Sequence, residues 1–256
     1  MKIHSAPHRS IAVFILLAAF IPGSMPPHAQ ASPAAAAALT ATIVIHPNQV
    51  VAPVTPLLLG SNTPAWLGDS YANSRFRART QYSGIGSVRI PGGSWSDMYG
   101  WLSCEQRVFR QDSAYQCGGV GEDWSSWITR PTDFINFLRA TEKQAIFTIN
   151  VNATAQEAAA AVAFFNADPS DTTVIGVDRN GMDWQTAGAW AQLRADHGNP
   201  QPFHIQYWEF GNEIYGGAPA TGGADCTPNG WENAWTCNGT TYVNGDANHD
   251  GYRQVR

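Results

Sequence analysis

The stretch YWEFGNEIYGG, Tyr207 to Gly217, sets an Asn–Glu pair at the end of an apolar run with glycine on both sides. Glu213 is of the right type for a general acid. Cleaving a glycosidic bond normally takes two carboxyl groups flanking it, one of which holds its proton near neutral pH. Burial or a second carboxylate close by keeps that proton on. Trp208, Phe210 and Tyr215 offer apolar walls beside Glu213. The amide of Asn212 can hold a sugar hydroxyl next to the reacting carbon. Gly211 lets the chain bend, and Gly216-Gly217 lets the backbone approach a substrate. The competing role for Glu213 is a carboxylate that caps the next element. Glu209, two residues earlier, shares its face and reads as an interior carboxylate paired with a cation, for which Arg89 is a candidate.

Other polar residues sit at comparable places. Leu57-Leu58-Leu59 runs into Gly60-Ser61-Asn62, and Ser87 to Ile90 runs into Pro91-Gly92-Gly93. Ala145 to Val151 ends in Asn152, and His204 to Phe210 ends in Gly211-Asn212-Glu213. Helical patterns lie between these runs, at Pro131 to Lys143, Thr154 to Phe165 and Asp183 to Arg194. Short apolar strands alternating with helices predict a parallel sheet in an α/β fold. The pattern fits the N-terminal half of a (β/α)8 TIM barrel, about four βα units, in which chemistry sits at the C-terminal strand ends. Asn62, Arg89, Asn150 or Asn152, and Glu213 then share one rim. Asn150 and Asn152 serve equally well as substrate contacts or as turn formers. Thr40 to His46 alternates and is β-branched, which predicts one further strand. Trp95, Trp101, Trp124, Trp127, Trp231 and Trp235 fall outside the core runs; each can stack on a sugar or pack a loop.

The ends and the composition bound the rest. Residues 1–31 read as a signal peptide, with IAVFILLAAFI after Lys2 and Arg9 and a small-residue site at Ala29-Gln30-Ala31. Residues 32–39 are a low-complexity spacer, and residues 40–256 carry the domain. The expected location is extracellular or periplasmic, with no membrane span after cleavage. With 15 Lys and Arg against 20 Asp and Glu the chain is mildly acidic, which argues against nucleic acid. Four cysteines in an exported chain favour disulfides, and the local pairings Cys104–Cys117 and Cys226–Cys237 are preferred. No spacing supports zinc, and no cofactor is expected. Asp246, Asn248 and Asp250 match the first half of a calcium loop; the alternative is an Asx-rich turn leading into a helix. Asn152 and Asn238 are formal glycosylation sequons.

WEFGNE followed by IYG resembles the acid/base strand of clan A retaining glycosidases. VRIPGGSWSDMYGW, Val88 to Trp101, resembles the second-strand tip of the α-L-arabinofuranosidases and their relatives. EAAAAVAFFNAD and the segment from Asp183 to Glu213 follow the same layout, so the resemblance runs from about Leu57 to Tyr215. It implies a secreted hydrolase acting on plant-type polysaccharide or oligosaccharide. Glu213 would be the acid/base, and Asn212 would bind the hydroxyl beside the anomeric carbon. Arg89 would orient the nucleophilic carboxylate, and Gly92 and Gly93 would shape the sugar pocket. Asn62, Trp95, Asn150, Asn152 and Tyr215 are further candidate substrate contacts. The family's nucleophile is a second Glu on a later strand, and no carboxylate of this sequence matches its motif. That departure leaves two alternatives, a non-catalytic carbohydrate-binding protein and an inactive gene fragment.

Overall fold

A computed structural model describes residues 42–110, 114–119, 121–217 and 231–256 of the chain. Four strands form one parallel sheet in the order β1-β2-β3-β4: β1 Gly60–Asn62, β2 Ser87–Ile90, β3 Gln144–Ile149 and β4 Tyr207–Phe210. Parallel neighbours need long crossovers, and the helices lie in them. α1 (Ser74–Tyr82) joins β1 to β2; α2 (Trp101–Gln106) and α3 (Pro131–Thr141) join β2 to β3. α4 (Ala155–Asn166) and α5 (Ala187–Asp196) join β3 to β4. This is the α/β arrangement expected of part of a TIM barrel.

The helix ends follow local chemistry. Asn73 caps α1 by accepting from the N–H groups of Arg75 and Phe76. Thr154 caps α4 through the N–H of Glu157, and Pro131 opens α3. α1 and α2 are not evident from periodicity, because Thr80 is the one buried residue of α1 and α2 has only six residues. α5 begins at Ala187 rather than Asp183. Residues Asp183 and Thr186 instead bridge back to Val177 and Val174 as extended chain.

Two sequence expectations are corrected. The apolar run at Leu57 is not a strand: Pro56–Leu58 is a 3-10 turn, and the strand is the polar Gly60–Asn62. Residues 42–46 of the anticipated strand at Thr40 to His46 carry no strand, and Ile43, Val44 and Ile45 are exposed. β-branched alternation fits a strand only where another chain accepts its hydrogen bonds, and no described residue pairs with it. Residues 42–50 belong to a unit separate from Val51–Arg256.

The sheet has two unlike faces because side chains alternate along a strand. Val88, Ile90, Ala145, Phe147 and Phe210 are buried in the core. Phe147, Phe165 and Trp208 form one aromatic contact set, with centroid separations of 5.0 to 6.1 Å. Phe134, Phe137 and Leu138 of α3 and Phe164 of α4 complete the core. The alternate positions Arg89, Thr148 and Glu209 are polar and interact with one another. Beyond β4, the short helix Gly239–Asn244 lays Tyr242 over Phe210, and the Tyr242 hydroxyl donates to the Phe210 carbonyl at 2.6 Å.

Trp101, Trp124 and Trp235, read as loop residues, are buried in the core, whereas Trp127 and Trp231 are exposed. The Cys104–Cys117 disulfide is formed and closes a separation of 13 residues. Cys237 is disulfide-bonded; its expected partner Cys226 lies outside the described residues. No described helix is long and apolar enough to cross a membrane.

Candidate active site

Because all four strands run parallel, their C-terminal ends fall on one edge. Register pairs Asn62 with Arg89, Thr148 with Glu209, and Ile149 with Phe210. Gly211 follows at φ 75, a left-handed conformation open to glycine. A Cβ there would come within 2.8 Å of the Val151 Cβ, so the bend needs glycine for space as well. Two residues on, Glu213 is itself left-handed, with φ 37 and ψ 47, and it is exposed. A non-glycine residue in that region stores strain of roughly 1–3 kcal/mol, and such strain clusters at functional positions.

Arg89 ties the rim together. Its Nε donates to Glu209 Oε2 at 2.5 Å, its Nη2 to Asn212 Oδ1 at 3.1 Å, and its Nη1 to Asn62 Oδ1 at 3.4 Å. Thr148 Oγ1 donates to the same Glu209 oxygen at 2.8 Å. Glu209 is therefore the cation-paired carboxylate its position suggested, but its side chain is 41% exposed rather than buried in the interior, because it stands on the polar face of the sheet. Gly92 presses against Asn62: a Cβ on Gly92 would lie 2.7 Å from Asn62 Oδ1. Arg89, Asn62, Gly92, Asn212 and Glu213 thus converge at one edge of the sheet. Gly93 follows Gly92 and opens the 3-10 turn Gly93–Met98.

The other candidates have different surroundings. Asn150 Oδ1 accepts from the backbone N–H of Asn152 at 2.8 Å, the turn-forming role. Asn152 Nδ2 donates to the carbonyls of Asp97 at 2.9 Å and Asn233 at 2.7 Å. Trp95 packs against Trp124 and Trp127 at 4.1 and 5.8 Å, in an indole cluster. Tyr215 is exposed and meets Trp231 edge-on at 5.9 Å. Desolvation and the neighbouring Glu213 carboxylate raise the Tyr215 hydroxyl above its usual pKa. Asp246 Oδ1 accepts from the N–H groups of Asn248 and His249 at 2.7 and 2.8 Å, forming an Asx turn. Asp250 pairs with Arg179 at 2.6 Å and caps the N–H of Ala155 at 2.7 Å. Among the described residues, no cluster of three or more His, Cys, Asp or Glu is placed to hold a metal.

Two carboxyl groups of the site are not legible by type and spacing. Asp97 lies under Asn212 and accepts from the backbone N–H groups of Val151 and Asn212 at 3.2 to 3.3 Å. Burial pushes its pKa up to about 8; the two N–H donors and Arg89 oppose this, and Glu232 adds to it. Asp97 does fall inside the VRIPGGSWSDMYGW tip, which was the available signal. Glu232 is 3% exposed. Its Oε1 accepts from Ser94 Oγ at 2.6 Å and Asn212 Nδ2 at 3.0 Å. Burial raises its pKa, the two donors oppose, and the nearby Glu213 adds. Nothing in GWENAW marks Glu232, which lies 19 residues after Glu213 in the sequence.

No family model and no curated protein matches the chain. Among solved structures it is similar to the family 51 arabinofuranosidase from Xanthomonas axonopodis pv. citri, at 22% identity over 66% of this chain and 34% of that one, with TM-score 0.48. It is also similar to the family 51 α-L-arabinofuranosidase from Bifidobacterium longum, at 22% identity over 64% and 31%, TM-score 0.45. A third, the α-L-arabinofuranosidase from Thermotoga maritima, shares 24% identity over 54% and 25%, TM-score 0.38. The chain spans between a quarter and about a third of the length of these structures.

Proposed function

We propose that this chain carries the acid/base half of a secreted retaining glycoside hydrolase, arabinofuranosidase-like, acting on plant-type polysaccharide. One observation supports this reading above the others. Glu213 stands exposed and backbone-strained at the β4 tip, beside an Asn212 amide held between Arg89 and Glu232. Glu213 serves as general acid/base. Asn212 takes the hydroxyl next to the anomeric carbon with its remaining N–H and lone pair. Tyr215 and Trp231 offer exposed ring faces to the sugar beyond the scissile bond.

Retention requires a nucleophilic carboxylate across the bond from the acid. Glu209 is paired with Arg89, and Asp97 and Glu232 are buried. The nucleophile role is therefore assigned to a carboxylate outside these residues. Chemistry depends on that second group, so tests belong on the secreted polypeptide that carries this sequence.

The deciding variant is Glu213→Ala. Turnover of arabinan or arabinoxylan should fall by roughly 10²–10⁴-fold, the usual contribution of a general acid. An aryl glycoside with a good leaving group needs no protonation and should still react at the first step. Azide should then restore the second step as a glycosyl azide product. Unchanged hydrolysis of arabinoxylan by this variant would sink the assignment. Binding of arabinan, xylan or cellulose by calorimetry, with no turnover in the wild type, would favour a carbohydrate-binding role instead.

A further inference from the structure

Trp231-Glu232-Asn233 touches the rim at each successive residue. Trp231 Nε1 donates to Glu213 Oε2 at 3.2 Å. Glu232 Oε1 takes hydrogen bonds from Asn212 and Ser94. The Asn233 carbonyl accepts from Asn152, and Asn233 Nδ2 donates to the Asp97 carbonyl at 3.2 Å. The N–H groups of Trp231 and Glu232 both donate to the Gly216 carbonyl, at 2.8 and 3.0 Å. The stretch is thus fastened to the backbone just past Glu213.

We propose that Glu232 is a positioning residue that fixes the orientation of the Asn212 amide, and through it the recognition of a substrate hydroxyl. The second half of this statement rests on the hydroxyl-binding role given to Asn212 above. A primary amide has two orientations that exchange its oxygen and nitrogen, and its neighbours decide between them. Arg89 can only donate, so it requires Oδ1 on its side. Glu232 Oε1 accepts, so it requires Nδ2 on the other. The two neighbours select the same orientation, and Ser94 holds Glu232 in turn. Glu232 Oε2 is buried without a hydrogen-bond partner among the described residues. Burying such an atom costs stability, a cost that an apolar residue filling the same space would avoid.

The test uses two readouts on Glu232→Ala and Glu232→Gln. Gln keeps an oxygen able to accept from Ser94 and Asn212, and it guards against an Ala variant that folds poorly. The first readout is the pair of Asn212 side-chain amide signals by NMR, assigned through Asn212→Asp. In Glu232→Ala these should move to the positions of a free amide and exchange about tenfold faster or more, as local protection is lost. Glu232→Gln should leave them near the wild type. The second readout compares two aryl glycosides, with and without the hydroxyl beside the anomeric carbon. Glu232→Ala should lower kcat/KM about 10- to 100-fold on the first, the scale of a lost charge-assisted hydrogen bond. On the deoxy substrate the loss should stay within about threefold, and Glu232→Gln should recover most of the activity.

Unmoved amide signals in Glu232→Ala, or equal losses on both glycosides, would overturn the positioning role. If the wild type cleaves neither glycoside, the hydrolase reading fails while the amide signals still decide the positioning. If Glu213→Ala abolishes turnover but Glu232→Ala treats both substrates alike, the reading stands and the positioning fails.

Discussion

Asp97 and Asp178 are both buried aspartates at the centre of polar networks, yet their pKa values are pushed in opposite directions. Asp178 receives donors on both oxygens. Trp184 Nε1 at 2.8 Å, Thr154 Oγ1 at 3.1 Å and the Tyr115 hydroxyl reach Oδ2. The N–H groups of Asn180 and Met182 reach Oδ1 at 2.9 and 3.0 Å. Burial pushes the Asp178 pKa up, but these donors together hold it below the usual value. Among the described residues Asp97 has only two backbone donors, at 3.2 to 3.3 Å, and burial wins. The contrast separates scaffold from site. A fully satisfied network fixes structure, whereas an under-satisfied one leaves protons and charge available.

The largest effect is expected from Asp178→Ala. It strands a set of buried donors at once and should cost on the order of 4 kcal/mol by chemical denaturation. A loss under about 1 kcal/mol would mean the network is not the anchor described. Next comes the Cys104–Cys117 bridge, which ties down the segment bearing Tyr115. Cys104→Ser with Cys117→Ser should lower stability by about 3 kcal/mol, the loop-closure value for a link of this length. Thermal melts of the double variant against the oxidised wild type measure it.

The two aspartates also differ in how they make stability depend on pH. The pKa of Asp97 is raised from 3.8 to about 8, so the folded state binds the extra proton between those values. Its contribution is therefore fully present below about pH 4, declines as pH rises, and levels off above about pH 8, with a slope of at most about 1.4 kcal/mol per unit. Glu157, raised to about 8 by burial, acts in the same direction. The lowered Asp178 does the reverse: its contribution is present above the unfolded value and is lost as pH falls through the folded one. Asp97→Asn, a stand-in for the protonated acid, should change stability near pH 4 by about 1 kcal/mol or less and flatten the fall between pH 4 and 8. A slope identical to the wild type would remove Asp97 as its source.

The smallest effect belongs to Arg89–Glu209. The two side chains are 25% and 41% exposed, so solvent screens the pair. Glu209→Gln should cost no more than about 1 kcal/mol. A substantially larger loss would place this pair with the structural network instead.

Elements whose signals are local can be read directly from the residues. The apolar runs at β2, β3 and β4, the Pro131 and Thr154 helix starts, and the Gly211 bend all act within a few residues. Asn–Glu at a strand tip was equally legible, as were the preferred local cysteine pairing at Cys104–Cys117 and the pairing of Glu209 with a cation. The strand anticipated at Thr40 to His46 failed because a strand needs a partner, which alternation alone cannot supply. The tryptophans Trp101, Trp124 and Trp235 read as loop residues because their burial comes from distant elements. That Asp97 lies under Asn212 and that Glu232 grips its amide follows from the packing of distant segments. Those contacts span 115 and 20 residues. Spacing has no signal for such a contact, since the protonation and orientation of a buried polar group are set by neighbours in space and not along the chain.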